Sequence, residues 1–256
     1  TGDVICSAKS NAQAGGIAGY MNSGTTISQC FSAVNVTSAK HAGGIAGYTA
    51  SGSAITDCYA TGNIATTSAN ECFLGGICGS YYSNTNGATL TNCYSTGKVT
   101  GTGGNASYIG GISPSNNEAN YVNCYYLEGG LSGESAKYGV TGKGTAKTSD
   151  ELKALAETLG ESFKKDFANI NNGYPVLTWQ EGDEPAGLLG DVNGDGKVNY
   201  VDATMTYSYF KGELSFTDDQ IALADVNGDG KVNYVDATMI YSYYKGELET
   251  FPKNKQ

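Results

Sequence analysis

The sequence predicts two unlike parts: a mainly β solenoid over its first two-thirds and a small all-α module near its end. Three observations carry this. A Gly-Gly-Ile turn recurs down the N-terminal half. The segments between turns are short, β-branched and alternating in polarity. Near the C-terminus a 23-residue stretch returns almost unchanged 34 residues later.

The repeat comes first. Gly15-Gly16-Ile17-Ala18-Gly19-Tyr20 returns as Gly43-Gly44-Ile45-Ala46-Gly47-Tyr48, then as Gly75-Gly76-Ile77-Cys78-Gly79, and last as Gly110-Gly111-Ile112. After each turn comes an apolar residue, a Cys three positions on, and an aromatic. The sets are Ile27, Cys30 and Phe31; Ile55, Cys58 and Tyr59; Leu90, Cys93 and Tyr94; Tyr121, Cys124 and Tyr125. Val4, Val36, Ile64 and Val99 form a further column. Periods near 30 residues signal stacked structural repeats, and alternation as in Thr26-Ile27-Ser28-Gln29-Cys30 is the strand period. One such repeat cannot bury its own apolar face, so neighbours must stack. Residues 1–130 are therefore expected to form a right-handed β-helix. Ile, Cys and Val make inward ladders, Gly-Gly pairs sit at tight corners, and loops bulge at 80–87 and 101–105.

Residues 131–182 break the pattern and are expected to cap the solenoid as a small α/β segment. Ser149 or Asp150 would cap a helix that places Leu152, Leu155, Ala156 and Leu159 on one face and ends at Gly160. A turn and short strand through Asn172-Gly173-Tyr174-Pro175-Val176-Leu177 follow. The polar stretch 183–189 reads as a linker and 249–256 as a tail.

Bulk properties narrow the function. With 16% charged residues, 37 glycines, no arginine and a net charge of −10, the chain lacks the basic footprint of a nucleic-acid or anionic-membrane binder. No apolar run approaches the roughly 20 residues of a membrane helix. Seven cysteines cannot all pair, so buried free thiols are expected rather than a disulfide framework. The chain opens in mid-repeat at Thr1-Gly2-Asp3-Val4, as a piece of a longer protein would.

The duplicated segment carries chemistry. Asp191 to Glu213 and Asp225 to Glu247 differ only at Thr206/Ile240 and Phe210/Tyr244. Each opens with an EF-hand-type loop, in which alternate positions of a tight turn converge their oxygens on one point. Calcium is a hard ion that takes about six to eight oxygens. The first copy offers Asp191, Asn193, Asp195, the Lys197 carbonyl and Asp202, with Asn199 acting through a water. The second offers Asp225, Asn227, Asp229, the Lys231 carbonyl and Asp236, with Asn233 in the place of Asn199. Gly196 allows the reversal. Two ions are expected. Helices should follow each loop, over about 200–211 and 234–245, with none before the first loop.

The solenoid residues resemble the GLUG motif, found in bacterial surface and secreted proteins. The fourth rung departs from it, with Ile112-Ser113-Pro114 in place of the Gly-Tyr ending. The duplicated segment, residues 190–248, resembles a type I dockerin of paired F-hands. That resemblance implies calcium-dependent binding to a cohesin module of a scaffoldin in a cellulosome-like complex, and hence a secreted, cell-surface setting. Carried over position by position, it implies a contact face of Tyr200, Val201, Tyr207, Ser208 and Gly212, with Tyr234, Val235, Tyr241, Ser242 and Gly246 in the second copy. Many members carry Ser, Thr, Lys or Arg where this chain places Tyr and Val, so a more apolar interface follows. Tyr209 and Phe210 are expected inside, in a stripe with Ala203 and Met205 or Thr206.

For the solenoid, a non-catalytic binding or adhesive role is expected, with exposed tyrosines and polar loops contacting glycan or protein. A stalk or fragment of a larger protein is one alternative, and a polysaccharide-active β-helix enzyme is another. The acids Asp3, Asp57, Glu71, Glu118 and Glu128 are scattered over different rungs, and His41 is the sole histidine. Neither a paired-carboxylate cluster nor a Cys-His pair is readable.

Overall fold

Each rung of the solenoid hydrogen-bonds to the next in parallel, as a stack of non-self-sufficient repeats requires. The structure is a computed structural model and describes residues 2–7, 11–68, 70–80, 88–101, 107–114, 121–132, 144–180 and 187–255. The expected loops at 81–87 and 102–105, Glu118, and residues 181–186, which end the expected cap and begin the expected linker, lie outside these. The chain divides into two units, Thr1–Lys164 and Lys165–Gln256.

Parallel sheets wind through the first unit, one of them the short pair Ala18–Met21 and Ala46–Thr49, and three longer ones carry its columns. One joins Asp3–Cys6, Asn35–Ser38, Ile64–Ala65, Val99–Thr100 and Leu131–Ser132, stacking Val4, Val36, Ile64, Val99 and Leu131 in register. A second joins Gln13–Gly15, His41–Gly43, Cys72–Gly75 and Ser107–Gly110, stacking Ala14, Ala42, Leu74 and Ile109. The third joins Thr26–Ser28, Ala54–Ala60, Thr89–Ser95, Tyr121–Leu127 and Thr145–Lys147. It stacks Ile55 on Leu90 on Tyr121, Cys58 on Cys93 on Cys124, and Tyr59 on Tyr94 on Tyr125. The columns expected from the repeat are thus the columns of the solenoid.

Ile55 and Cys58 are three residues apart yet both fully buried, which a flat strand of period two does not allow. The residue before each Cys resolves this. Gln29, Asp57, Asn92 and Asn123 all take left-handed backbone, with φ of 50°, 53°, 51° and 49°. Each makes a bulge-like kink that every rung shares in register and that resets the phase of the strand. Asn and Asp tolerate this conformation better than other non-glycine residues. Their side chains also bond along the stack. Asn123 Nδ2 donates to Asn92 Oδ1 at 3.1 Å, and Asn92 Nδ2 to Asp57 Oδ1 at 2.8 Å.

The Gly-Gly pairs serve close approach. Gly44 N–H donates to the Gly76 carbonyl at 3.2 Å. A Cβ on Gly44 would collide with that carbonyl and with the Ala60 side chain.

Within the first unit, residues 144–164 lie against the third sheet. Helix α1 (Ser149–Lys153) is capped by Thr148, not by Ser149 or Asp150 as expected, in a capping box with Glu151. It is also shorter than expected. After it the chain tightens into turns, with Leu155 N–H bonding the Leu152 carbonyl three residues back. Leu152, Leu155, Ala156 and Leu159 are nevertheless all buried. Phe163 packs over Tyr59 and Tyr94 at ring-centroid distances of 6.5 and 6.0 Å. Ser162 Oγ donates to Asp57 Oδ2 at 2.9 Å, which ties this segment to the bulge column. Tyr59 and Tyr94 are therefore covered, and they are not among the exposed tyrosines the sequence suggested for ligand contact.

The second unit contains helices α2 (Tyr200–Phe210), α3 (Asp218–Ala224) and α4 (Tyr234–Tyr244) and a closing 3₁₀ turn, Pro252–Lys255. Its core gathers Val192, Ala203, Ala224, Val226, Ile240 and Phe251. Helix α3 was not foreseen. Its start, Thr217 with Gln220 three residues on, is a legible capping box.

Candidate calcium loops and docking face

Both loops fold by letting their own carboxylates accept backbone N–H groups. In the first, Asp191 accepts from Asp195 N at 3.1 Å and Gly196 N at 2.7 Å, while Asn193 Oδ1 accepts from Asp195 N at 2.9 Å. Asp195 Oδ1 accepts from Lys197 N at 2.9 Å. The second loop repeats the pattern. Asp225 accepts from Gly228 N and Gly230 N, Asn227 from Asp229 N, and Asp229 from Lys231 N. Gly196 and Gly230 have φ of 81° and 77°, the left-handed region that a side chain makes costly.

The last acid of each loop joins loop to helix. Asp202 Oδ1 accepts from Val192 N at 2.9 Å and Asn193 N at 3.1 Å, and its Oδ2 from Asn199 N at 2.9 Å. Asn199, expected to act through a water, caps α2 by accepting from Val201 N at 2.8 Å. Asp236 and Asn233 play the same parts before α4. Asp202 and Asp236 are 0% exposed, and burial pushes the Asp236 carboxyl above the usual range. A buried carboxylate held only by neutral donors calls for a cation.

Among the described residues, no three Asp, Glu, His or Cys side chains gather into a ready metal cage. The fit to calcium rests instead on the mixed oxygen set. Three carboxylates, an Asn amide oxygen and a main-chain carbonyl recur at matched spacing, all of them hard donors. Asp191, Asn193, Asp195, Lys197 and Asp202 would hold one ion, and Asp225, Asn227, Asp229, Lys231 and Asp236 the other.

The two loops have different neighbours. Lys253 Nζ lies 3.7 Å from Asp225 Oδ2, and a Cβ on Gly230 would meet the Asn169 side chain, whereas Gly196 faces open space. Neither contact has a local signature, because Lys253 lies in the expected tail and Asn169 in the expected cap.

The expected contact residues surface as a matched pair of faces. Tyr200 and Tyr234 are each 59% exposed, Tyr207 49% and Tyr241 43%. Val201, Gly212 and Gly246 are exposed, and Ser208, Val235 and Ser242 half-buried. Phe210, expected inside, is 46% exposed. Tyr209 alone turns in and stacks on Phe216 at 4.5 Å. The run Tyr207-Ser208-Tyr209-Phe210 puts aromatic rings on three sides of α2, so spacing alone misplaced Phe210 in the inward stripe. Phe210 instead extends the exposed face towards Tyr234, at 6.1 Å between ring centres, and Tyr244 joins Tyr241 in the second copy at 6.3 Å.

In the solenoid, His41 has ring and backbone neighbours and, among the described residues, no cysteine bonded to it. It stacks on Phe73 at 4.9 Å, meets Tyr48 edge-on, and its Nδ1 lies 2.9 Å from the Gly79 carbonyl. Burial holds its pKa below the ordinary histidine value. All seven cysteines are free, five of them buried. Among the described residues, no helix is long and apolar enough to cross a membrane.

Fold and site together define a modular protein, a parallel β-solenoid followed by a duplicated loop–helix module. Residues 189–243 match the dockerin type I domain and residues 38–65 the GLUG motif, so the chain carries a type I dockerin behind GLUG-type rungs. Among solved structures, a Bacteroides ovatus protein provisionally named an immunoglobulin A1 protease is similar at 27% identity and a TM-score of 0.53. The match covers 71% of this chain and 56% of that one, so this chain spans little more than half of that protein's length. A chain from a cohesin–dockerin complex of Acetivibrio cellulolyticus displaying a type I interaction is similar at 29% identity, covering 28% of this chain and 100% of that one, with a TM-score of 0.27. No curated protein sequence matches the chain.

Proposed function

We propose that this protein is a secreted component of a cellulosome-like assembly, docked through its dockerin to a scaffoldin cohesin when calcium fills both loops. The observation that carries this is the duplicated loop–helix module with tyrosines exposed at matched positions, Tyr200 and Tyr207 in the first copy and Tyr234 and Tyr241 in the second. Large aromatic side chains supply contact area at a low entropic cost, and Tyr is enriched at interface hot spots. Each loop is bonded to the first turn of its helix through Asp202 or Asp236. Filling the loops would therefore fix the face that the partner reads. The solenoid would serve as a non-catalytic binding or adhesive body. Tyr20, stacked on Tyr48 at 5.4 Å and half-exposed, offers an aromatic surface for a glycan.

The test is calorimetric titration of the chain against a panel of cohesins, with calcium and with chelator. Tight one-to-one binding that vanishes on chelation is expected. Calcium uptake without binding to any cohesin would overturn the docking reading. The Bacteroides relative's name favours a second reading, a catalytic solenoid. Turnover of a protein or polysaccharide by residues 1–164, abolished by a substitution at one rung, would support it.

A further inference from the structure

The two loops have the same sequence, Asp-Val-Asn-Gly-Asp-Gly-Lys-Val-Asn-Tyr-Val-Asp, from Asp191 and from Asp225. Any difference in how they take up a cation must therefore come from outside them. One difference is an ammonium group. Phe251 is buried in the core of the module, and two residues on the chain turns back over the second loop. Lys253 N–H donates to the Val226 carbonyl at 3.1 Å. Its Nζ donates to the Ala222 carbonyl at 3.0 Å and stands 3.7 Å from Asp225 Oδ2. Both side chains of this ion pair are largely withdrawn from solvent, at 15% and 11% exposure. In the first copy, the carbonyl equivalent to that of Val226 belongs to Val192, and its donor is the neutral Gln220 amide at 3.1 Å. Among the described residues, no lysine lies within ion-pair distance of Asp191.

We propose that the two loops are unequal calcium sites, with the second held in reserve by Lys253 as a built-in counter-cation. The inference rests on the reading of both loops as calcium sites. A cation beside the first ligand of the second loop must be repelled or displaced when a dication enters, and partial burial leaves that repulsion poorly screened. The same ammonium neutralises part of the empty loop's charge. The first loop has no such substitute and depends on the metal alone. At rising calcium the first loop fills and orders first, and the second follows at about ten-fold higher concentration, which corresponds to about 1.4 kcal/mol.

The test follows the amide signals of Gly196 and Gly230 by NMR during calcium titration of the full chain. Gly196 should saturate about ten-fold earlier than Gly230. Lys253→Met keeps most of the buried stem and removes the charge, and should bring the two curves together. Lys253→Arg should keep them apart. If Lys253→Met disturbs the fold, as its spectrum without calcium would show, Lys253→Gln makes the same comparison. Simultaneous saturation in the unaltered protein, or a separation that survives loss of the charge, would overturn the proposal. Failure of both amides to respond would instead remove the calcium reading beneath it.

Discussion

Cys58 sits in the middle of a column of thiols with its Sγ turned to the Thr56 carbonyl at 3.1 Å. Burial pushes its pKa up to about 12. A thiol whose folded pKa lies above its unfolded value stabilises the fold fully below the unfolded value. That contribution is lost as the pH climbs towards the folded one. The urea midpoint of the solenoid should therefore hold steady to about pH 9 and then decline, and Cys58→Ala should flatten the decline while lowering the plateau. Burial raises Cys93 as well, and the neighbouring Cys93 thiol holds Cys124 down. Alkylation of the native protein should reach the half-buried Cys6 and Cys30 and spare Cys58, Cys72, Cys78 and Cys93.

Among the elements, the bulge column is the part of the solenoid that the sequence concealed. The ladders of Val, Ile and Cys were legible because each keeps one residue type down the stack. Gln29, Asp57, Asn92 and Asn123 differ in type and share a backbone conformation, and conformation is not written in a residue column. The bulge's consequence was in view all along, as an apolar residue and a Cys spaced by three rather than two. Replacing Asn92 separates its two jobs. Asn92→Gly keeps the left-handed backbone and loses the amide bonds to Asp57 and Asn123, at a cost of about 1–2 kcal/mol. Asn92→Ala should cost about 1 kcal/mol more, for forcing a Cβ into that region. Equal losses in denaturant titrations of the two variants would show that the backbone at Asn92 carries no strain. Helix α3 is hidden for a different reason. Its seven residues span barely two turns, too few for a helical period, and its local signal is the Thr217–Gln220 capping box.

Over the whole molecule, the two units draw stability from different sources. The solenoid buries continuous apolar columns from Val4 to Leu131 and from Ile27 to Cys124. The C-terminal module rests on a cluster of six buried apolar residues and carries four buried acids, Asp191, Asp202, Asp225 and Asp236. Small cores of that kind commonly need a metal. Heating with calcium and with chelator should give two transitions, of which only the C-terminal one moves, to lower temperature without calcium. A single transition unaffected by chelator would contradict this. The location of both loops was legible because carboxylate spacing is a local pattern. The covering of Tyr59 and Tyr94 by Phe163, about 100 and 70 residues further on, and the reach of Lys253 over Asp225 are tertiary contacts with no local signature.

The stacked rings of the third sheet have an optical consequence. Phe31, Tyr59 and Tyr94 lie face to face at 5.2 and 5.0 Å, with planes within 14° and 4° of parallel. Chromophores held that close and that regularly couple their transitions, so the column should give a strong near-ultraviolet circular dichroism band. The chain's single tryptophan, Trp179, belongs to the other unit and fluoresces at longer wavelength. One sample thus carries two separate spectroscopic reporters, one for the register of the rungs and one for the unit that bears the dockerin.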